Sequence, residues 1–410
     1  MANAPGSRAP SPPIHPPQRL ETHHANLLPL RPCRTPRGPS GPAGHHRHQR
    51  TSAPAQPATG PGLQLYGLVD AAVGRFEGAA TGVNALDGPI RKLEGGGLST
   101  SHWGVRGNED LGGGLTAAFE LSSFVRNDSG ASGRSDALPA PVNLAADPVF
   151  SRAAWVGLAH AGWGRVRLGN VTSLLFLNSI TSNAFGDSTV FGPLNLTTFI
   201  GGPLTGGTAW ANSVVYDSPG WAGVSLSAAH ALSESQGGGN SALRAAYGQG
   251  PWAASLAWQS VKKNPITFAD GTSPNDTRAW QLAASYDFTA VKVFAHLGHI
   301  QNRGTAAAPL DVGYRVWDVS AAVPIGAGRL LAGYASRRTG DAVGPVPATL
   351  AGGNVQRRVF TVGYDYFLSK RTDVYLMAMH DSTRTQTLPA PPRAVDAQGT
   401  SVGVGVRHRF

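Results

Sequence analysis

The chain has 410 residues, with 34 Lys+Arg against 24 Asp+Glu for a net charge of +10, and it contains 53 Gly, 31 Pro and one Cys. A single Cys excludes a disulfide framework and a Cys-built zinc site. No stretch of eighteen apolar residues occurs, so membrane-spanning helices, which need about 20 such residues each, are excluded.

Residues 1–62 stand apart from the rest. They hold 14 of the 31 Pro, 6 of the 13 His and the lone Cys33, but no Phe, Trp or Tyr. Seven Arg against the single acid Glu21 give this stretch +6, leaving +4 for residues 63–410. A segment so poor in apolar side chains cannot bury enough surface to offset chain entropy, and disorder is expected. Without aromatics for stacking, it is not expected to bind nucleic acid.

The body, 63–410, shows short runs of strict alternation, the pattern of strands with one apolar face. In chain order, Ala222, Val224, Leu226 and Ala228 oppose Gly223, Ser225, Ser227 and Ala229. Trp252, Ala254, Leu256 and Trp258 oppose Ala253, Ser255, Ala257 and Gln259. Trp280, Leu282, Ala284, Tyr286 and Phe288 oppose Gln281, Ala283, Ser285 and Asp287. Val291, Val293, Ala295 and Leu297 oppose Lys292, Phe294, His296 and Gly298. Arg152–Leu158 and Thr372–His380 are apolar or mixed on both faces and take no assignment from pattern alone.

Short turns alternate with long loops along the body. The turns fall near Asp110–Gly114, Ala161–Gly162, Ser218–Gly220, Gly248–Pro251, Thr289–Ala290, Gly326–Gly328 and Ser369–Arg371. The loops fall near 75–99, 124–149, 171–208, 233–240, 262–277, 302–311, 338–355 and 381–400. Fifteen connections imply sixteen strands, with short turns at one end and long loops at the other. That is the plan of an all-β antiparallel transmembrane barrel. Rings flank several turns, as with Tyr216 and Trp221, Tyr247 and Trp252, and Tyr364 and Tyr366. Such rings form a belt at a membrane–water interface. A soluble β-sandwich would account for the apolar faces, but not for the small polar faces opposite them or for the one-sided loop lengths.

Six segments in order carry a family likeness: Leu63–Gly74, Ser101–Leu121, Phe150–Asn170, Asn212–Leu226, Tyr366–Leu376 and Gly403–Phe410. Together they resemble the general-diffusion porins of Gram-negative bacteria, of the type found in Burkholderia and Bordetella. The resemblance covers essentially all of 63–410. It implies an outer-membrane trimer, surrounded by lipid and lipopolysaccharide, that passes ions and small hydrophilic solutes passively. It also implies that the third extracellular loop, 171–208, folds inward and narrows the lumen. The terminal Phe410 resembles the tag read by the outer-membrane assembly machinery, and Val402, Val404 and Val406 share its face.

Charge suggests what such a pore would select. Alternation turns Arg106, Arg165 and Arg167 inward, and Arg152, Arg244 and Lys292 are further basic candidates for the lining. The acidic side is thin, with Asp187 in the long loop and Asp70 and Glu120 on neighbouring strands. Inward Arg also avoids a cost of about 2–4 kcal/mol for Arg on the lipid face at mid-membrane. Weak anion selectivity is the expectation. Before Asn212 the family pattern leads one to expect a basic residue, but Ala209, Trp210 and Ala211 stand there. Alternatives are a substrate-specific channel, or a non-conducting barrel serving structure or adhesion.

Neither a Walker-type G-x-x-x-x-G-K-[ST] nor an H-E-x-x-H occurs. No Ser, His and orienting group is brought together, so no enzyme, metal site or cofactor is expected. An exported barrel needs a leader with basic, apolar and small-residue regions. Within 1–62 the best apolar patch, Ala25–Leu30, is short and ends beside Arg31 and Pro32, although Ala53-Pro54-Ala55 resembles the end of a cleavage site. The expectation is that the sequence before about Thr51 is a misread frame or start.

Overall fold

The computed structural model describes residues 62–78, 89–134, 147–199, 205–234, 238–262, 276–304, 309–339, 355–387 and 393–410. The extension expected over 1–62 lies outside the described residues, apart from Gly62.

The strands are β1 (Gly62–Phe76), β2 (Ile90–Glu94), β3 (His102–Gly112), β4 (Leu115–Phe124), β5 (Ala153–His160) and β6 (Gly164–Thr172). Two helices follow, α1 (Leu174–Thr181) and α2 (Pro193–Thr198). Then come β7 (Ala209–Asp217), β8 (Val224–Ala231), β9 (Asn240–Gln249), β10 (Trp252–Val261), β11 (Thr277–Asp287) and β12 (Lys292–Gly304). The last are β13 (Pro309–Ile325), β14 (Gly328–Thr339), β15 (Val355–Phe367), β16 (Thr372–Thr387) and β17 (Arg393–Arg409).

Every neighbouring pair is antiparallel, and β1 closes the ring by pairing with β17. β2 and β3 both pair with β1, β2 against Ala72–Phe76 and β3 against Gly62–Leu68. They lie end to end along one edge of β1, interrupted by the turn at 95–101. The seventeen segments therefore make sixteen staves, the number expected from the turns. All seven expected tight turns fall at the junctions of consecutive strands, those at Asp110–Gly114, Gly248–Pro251 and Gly326–Gly328 overlapping a strand end.

Alternation places the side chains as the patterns require. Trp252, Leu256, Trp258, Trp280, Leu282 and Leu297 are exposed on the outer face, while Ala257, Gln259, Gln281 and Ala283 are buried inside. Large exposed apolar residues recur on most staves, and in a membrane barrel that face meets lipid.

Three expectations shift, the first being that the loop expected over 75–99 contains the short strand β2. The loops expected at 302–311 and 381–400 are largely strand: β12 runs to Gly304 before β13 begins at Pro309, and β16 and β17 pair out to Thr387 and Arg393. Alternation fails to reveal these ends because both faces there are polar. The expected strand start at Ala222 also moves to Val224, because Ala222 and Gly223 adopt left-handed φ of 48° and 84° in the turn.

The two unassigned segments are strands as well. Arg152–Leu158 falls mostly in β5, and Thr372–His380 lies in β16. On β16 the inward side chains Tyr375, Met377 and Met379 join a buried cluster with Phe185, Val190, Phe191 and Leu196 from the segment between β6 and β7. Both faces of β16 are apolar because both have apolar neighbours, lipid outside and this cluster inside.

Candidate functional site

The segment from Ser173 to Thr208 carries α1 and α2. Ser173 caps α1, its Oγ accepting from Phe176 N at 3.4 Å, and Pro193 at the first turn of α2 needs no N–H partner there. Its contacts run along the inward-facing side chains of several staves. Ser179 Oγ donates to Gln281 Oε1 of β11 at 3.2 Å, and Ala184 N donates to Ser320 Oγ of β13 at 3.1 Å. Arg244 Nε of β9 donates to Asn178 Oδ1 at 3.2 Å. Arg337 of β14 and Arg357 of β15 donate to the carbonyls of Thr197 and Leu196 at 3.2 and 2.9 Å. Ser188 Oγ donates to Gly97 O at 2.7 Å. Gly333 makes room for the segment, since a Cβ there would lie 2.6 Å from a ring carbon of Phe185.

Four of the six expected basic residues, Arg106, Arg152, Arg165 and Arg167, fall on one side of the inner face. Arg106 of β3 lies 4.6 Å from the Tyr66 ring centroid and donates to Gln64 at 3.0 Å. Glu120 of β4, directly opposite Arg106 in register, accepts from Arg152 Nη1 and Trp155 Nε1, both at 3.2 Å, and from the Tyr66 hydroxyl. Arg165 and Arg167 of β6 converge on Asp217 Oδ2 at 3.0 and 2.9 Å. This region thus sets four guanidiniums against two carboxylates.

The other expected residues are differently placed. Asp70 is fully buried: its Oδ2 accepts from Leu98 N and Ser99 N at 3.0 and 2.7 Å, and the Tyr375 hydroxyl donates to it too. These hydrogen bonds tie the 95–101 turn to the wall. Arg244 grips α1, as above. Lys292 opens β12 beside a short turn, 5.3 Å from the Phe294 ring centroid. Asp187 is half-buried between α1 and α2. Phe410, following β17, is exposed and exchanges both backbone hydrogen bonds with Gly67 at 3.1 and 3.2 Å.

Sequence reasoning missed several inner-face carboxylates. Asp217 follows the outward Tyr216 by one position, so alternation from that ring would have turned it inward. Asp365 and Asp373 bind Arg329, Arg407 and Arg409 at 2.9–3.2 Å. Asp381 holds Arg357 through two bonds at 2.8 and 3.1 Å. These lie on strands whose alternation is masked by tyrosines and by the inner apolar cluster. Trp210, standing where a basic residue was expected, is buried, and its Nε1 donates to Gly206 O at 3.0 Å. A Gly-x-Ser-x-Gly spacing, at Gly399–Gly403, also escaped the sequence reading. It lies within β17, not at a strand-to-helix turn, and Ser401 Oγ is engaged with the backbone of Glu77.

A closed antiparallel barrel of sixteen staves, with lipid-type side chains outward and polar groups inward, defines a transmembrane barrel of the outer-membrane class. The Gram-negative porin family matches residues 51–386, and the chain belongs to that family. It is 26% identical to an outer membrane porin protein of Bordetella pertussis over 84% of this chain and 94% of the relative. It is 28% identical to outer membrane porin protein 32 of Delftia acidovorans over 84% and 93%. Among solved structures, an anion-selective porin from Comamonas acidovorans shares the fold with a TM-score of 0.66 at 24% identity, covering 86% of this chain and all of that one. A trimer form of OmpT from Vibrio cholerae matches at 0.60 and 14% identity, over 85% and 99%. The chain is an outer-membrane channel for passive diffusion.

Proposed function

We propose that the channel prefers anions weakly and that Arg106, Arg152, Arg165 and Arg167 line its basic side. The observation that carries this reading is the inner-face cluster around Glu120 and Asp217, where the four guanidiniums outnumber the two carboxylates. Charged walls around a narrow aqueous path select by sign. The segment with α1 and α2 narrows the path, held by its hydrogen bonds to inward side chains of β9, β11, β13, β14 and β15. The anion selectivity named for the Comamonas relative points the same way.

Three copies assemble, as in the trimer form of OmpT. Lipid and lipopolysaccharide surround them, Phe410 serves the assembly machinery, and ions and small hydrophilic solutes pass without a cofactor or a catalytic step. Reversal potentials across a planar bilayer in a KCl gradient test the selectivity. The expected sign is that of chloride preference, and a clear potassium preference would overturn it.

A further inference from the structure

The outer face of the barrel is divided by charge. Among the described residues, no Lys or Arg of β4 to β10 lies on that face. On β11, β13 and β15 the outward series at the long-loop end runs through a large ring and then an Arg. Trp280 is followed by Arg278, Trp317 by Arg315, and Phe360 by Arg358. Each step of two residues keeps the same face and advances about 6.6 Å along the strand. The rings mark where lipid tails end, so the three guanidiniums stand at headgroup height. β14 and β16 add the exposed Arg338 and Arg384.

Register draws these groups together. Arg315 lies directly opposite Arg338, and Gln356 lies between Arg338 and Arg384. Arg358 donates to Gln356 at 2.9 Å. Among the described residues the carboxylate contacts of the patch are Asp276, 3.6 Å from Arg278, and Asp396, 3.7 Å from Arg384. Like charges directly opposite on a sheet repel, yet Arg315 and Arg338 have no carboxylate partner among the described residues. A planar guanidinium fork matches phosphate oxygens, and a phosphate between these two would relieve the repulsion.

We infer that Arg315, Arg338, Arg358 and Arg384 form a docking site for the phosphorylated headgroup of lipopolysaccharide in the outer leaflet. This deepens the lipid contact proposed above and rests on it. A phosphorylated glycolipid fits better than free phosphate because the tails of the same molecule would lie along Trp280, Trp317 and Phe360 directly below.

The full-length porin, purified in detergent, is incubated with lipopolysaccharide, enzymatically dephosphorylated lipopolysaccharide, phosphatidylglycerol vesicles or inorganic phosphate, and retained ligand is measured by native mass spectrometry. Loss of two phosphate-binding forks in Arg315→Gln/Arg338→Gln is expected to cut lipopolysaccharide retention about tenfold or more. Arg315→Lys/Arg338→Lys, which keeps the charge, should retain most of it. Arg358→Gln gives a second reading should the double variant not fold. Unchanged retention in Arg315→Gln/Arg338→Gln or Arg358→Gln would overturn the site. So would equal retention of the dephosphorylated form, or displacement by phosphatidylglycerol or inorganic phosphate. Bilayer conductance is read in parallel: it should be unchanged in the variants, and its absence in the unaltered protein would count against the channel and not against the lipid site.

Discussion

At the scale of single residues, closure of the barrel depends on an absence. Gly67 of β1 faces Phe410 across the seam between first and last strands. A Cβ at Gly67 would fall 2.4 Å from the Phe410 ring and 2.8 Å from the His102 carbonyl. The second atom is backbone and cannot swing aside. Gly67→Ala should therefore destabilise the folded barrel by about 1–3 kcal/mol, as overpacking does. The measurement is the urea midpoint followed by heat-modifiable gel mobility. Gly67→Ala/Phe410→Ala should recover part of the loss relative to the sum of the single changes, because the two sites share a contact. Simple additivity would show that the ring is not the obstacle.

At the scale of elements, the segment bearing α1 and α2 is held from outside itself. The hydrogen bonds that position α2 come from Arg337 and Arg357, and Asp381 fixes the Arg357 guanidinium. Arg357 and Asp381 are almost wholly buried. Removing one partner of such a pair costs about 3–5 kcal/mol, since the other charge stays buried and unmatched. Asp381→Asn should lower stability by an amount of that order and loosen α2, which single-channel recording would show as added current noise with more frequent brief closures. A variant with unaltered noise would mean that α2 is seated by its apolar contacts alone.

This latch was hard to read in the sequence. Alternation identified β8, β10, β11 and the start of β12, where one face meets lipid and the other small polar groups. It was mute on β16, where Met377 and Met379 point inward to an apolar cluster. The inner carboxylates of β15 and β16 were lost with it. The turns were legible throughout, because their Gly, Pro, Asp and Ser content is set by local chain geometry. The Arg of β3 and β6 were legible too, because Trp103 and Leu168 fix the parity of their strands.

At the scale of the whole molecule, the net charge of +10 says little about the current. Most inward Arg are met by carboxylates, as with Arg165 and Arg167 on Asp217 or Arg329 and Arg407 on Asp365. In the proposed reading, what acts on a passing ion is the residual excess around Glu120 and Asp217, felt through water. Such a field is screened over about 10 Å at 0.1 M salt and about 3 Å at 1 M. Chloride preference should therefore be larger at 0.1 M than at 1 M KCl, measured as reversal potential at a fixed concentration ratio. Asp217→Asn removes the carboxylate that neutralises Arg165 and Arg167, so it should raise chloride preference, and most at low salt. Arg165→Gln/Arg167→Gln should lower it under the same conditions. If selectivity were instead set by the narrowness of the path, these charge changes would alter conductance with little effect on the reversal potential. Salt dependence and the opposite signs of the two variants together separate the two explanations.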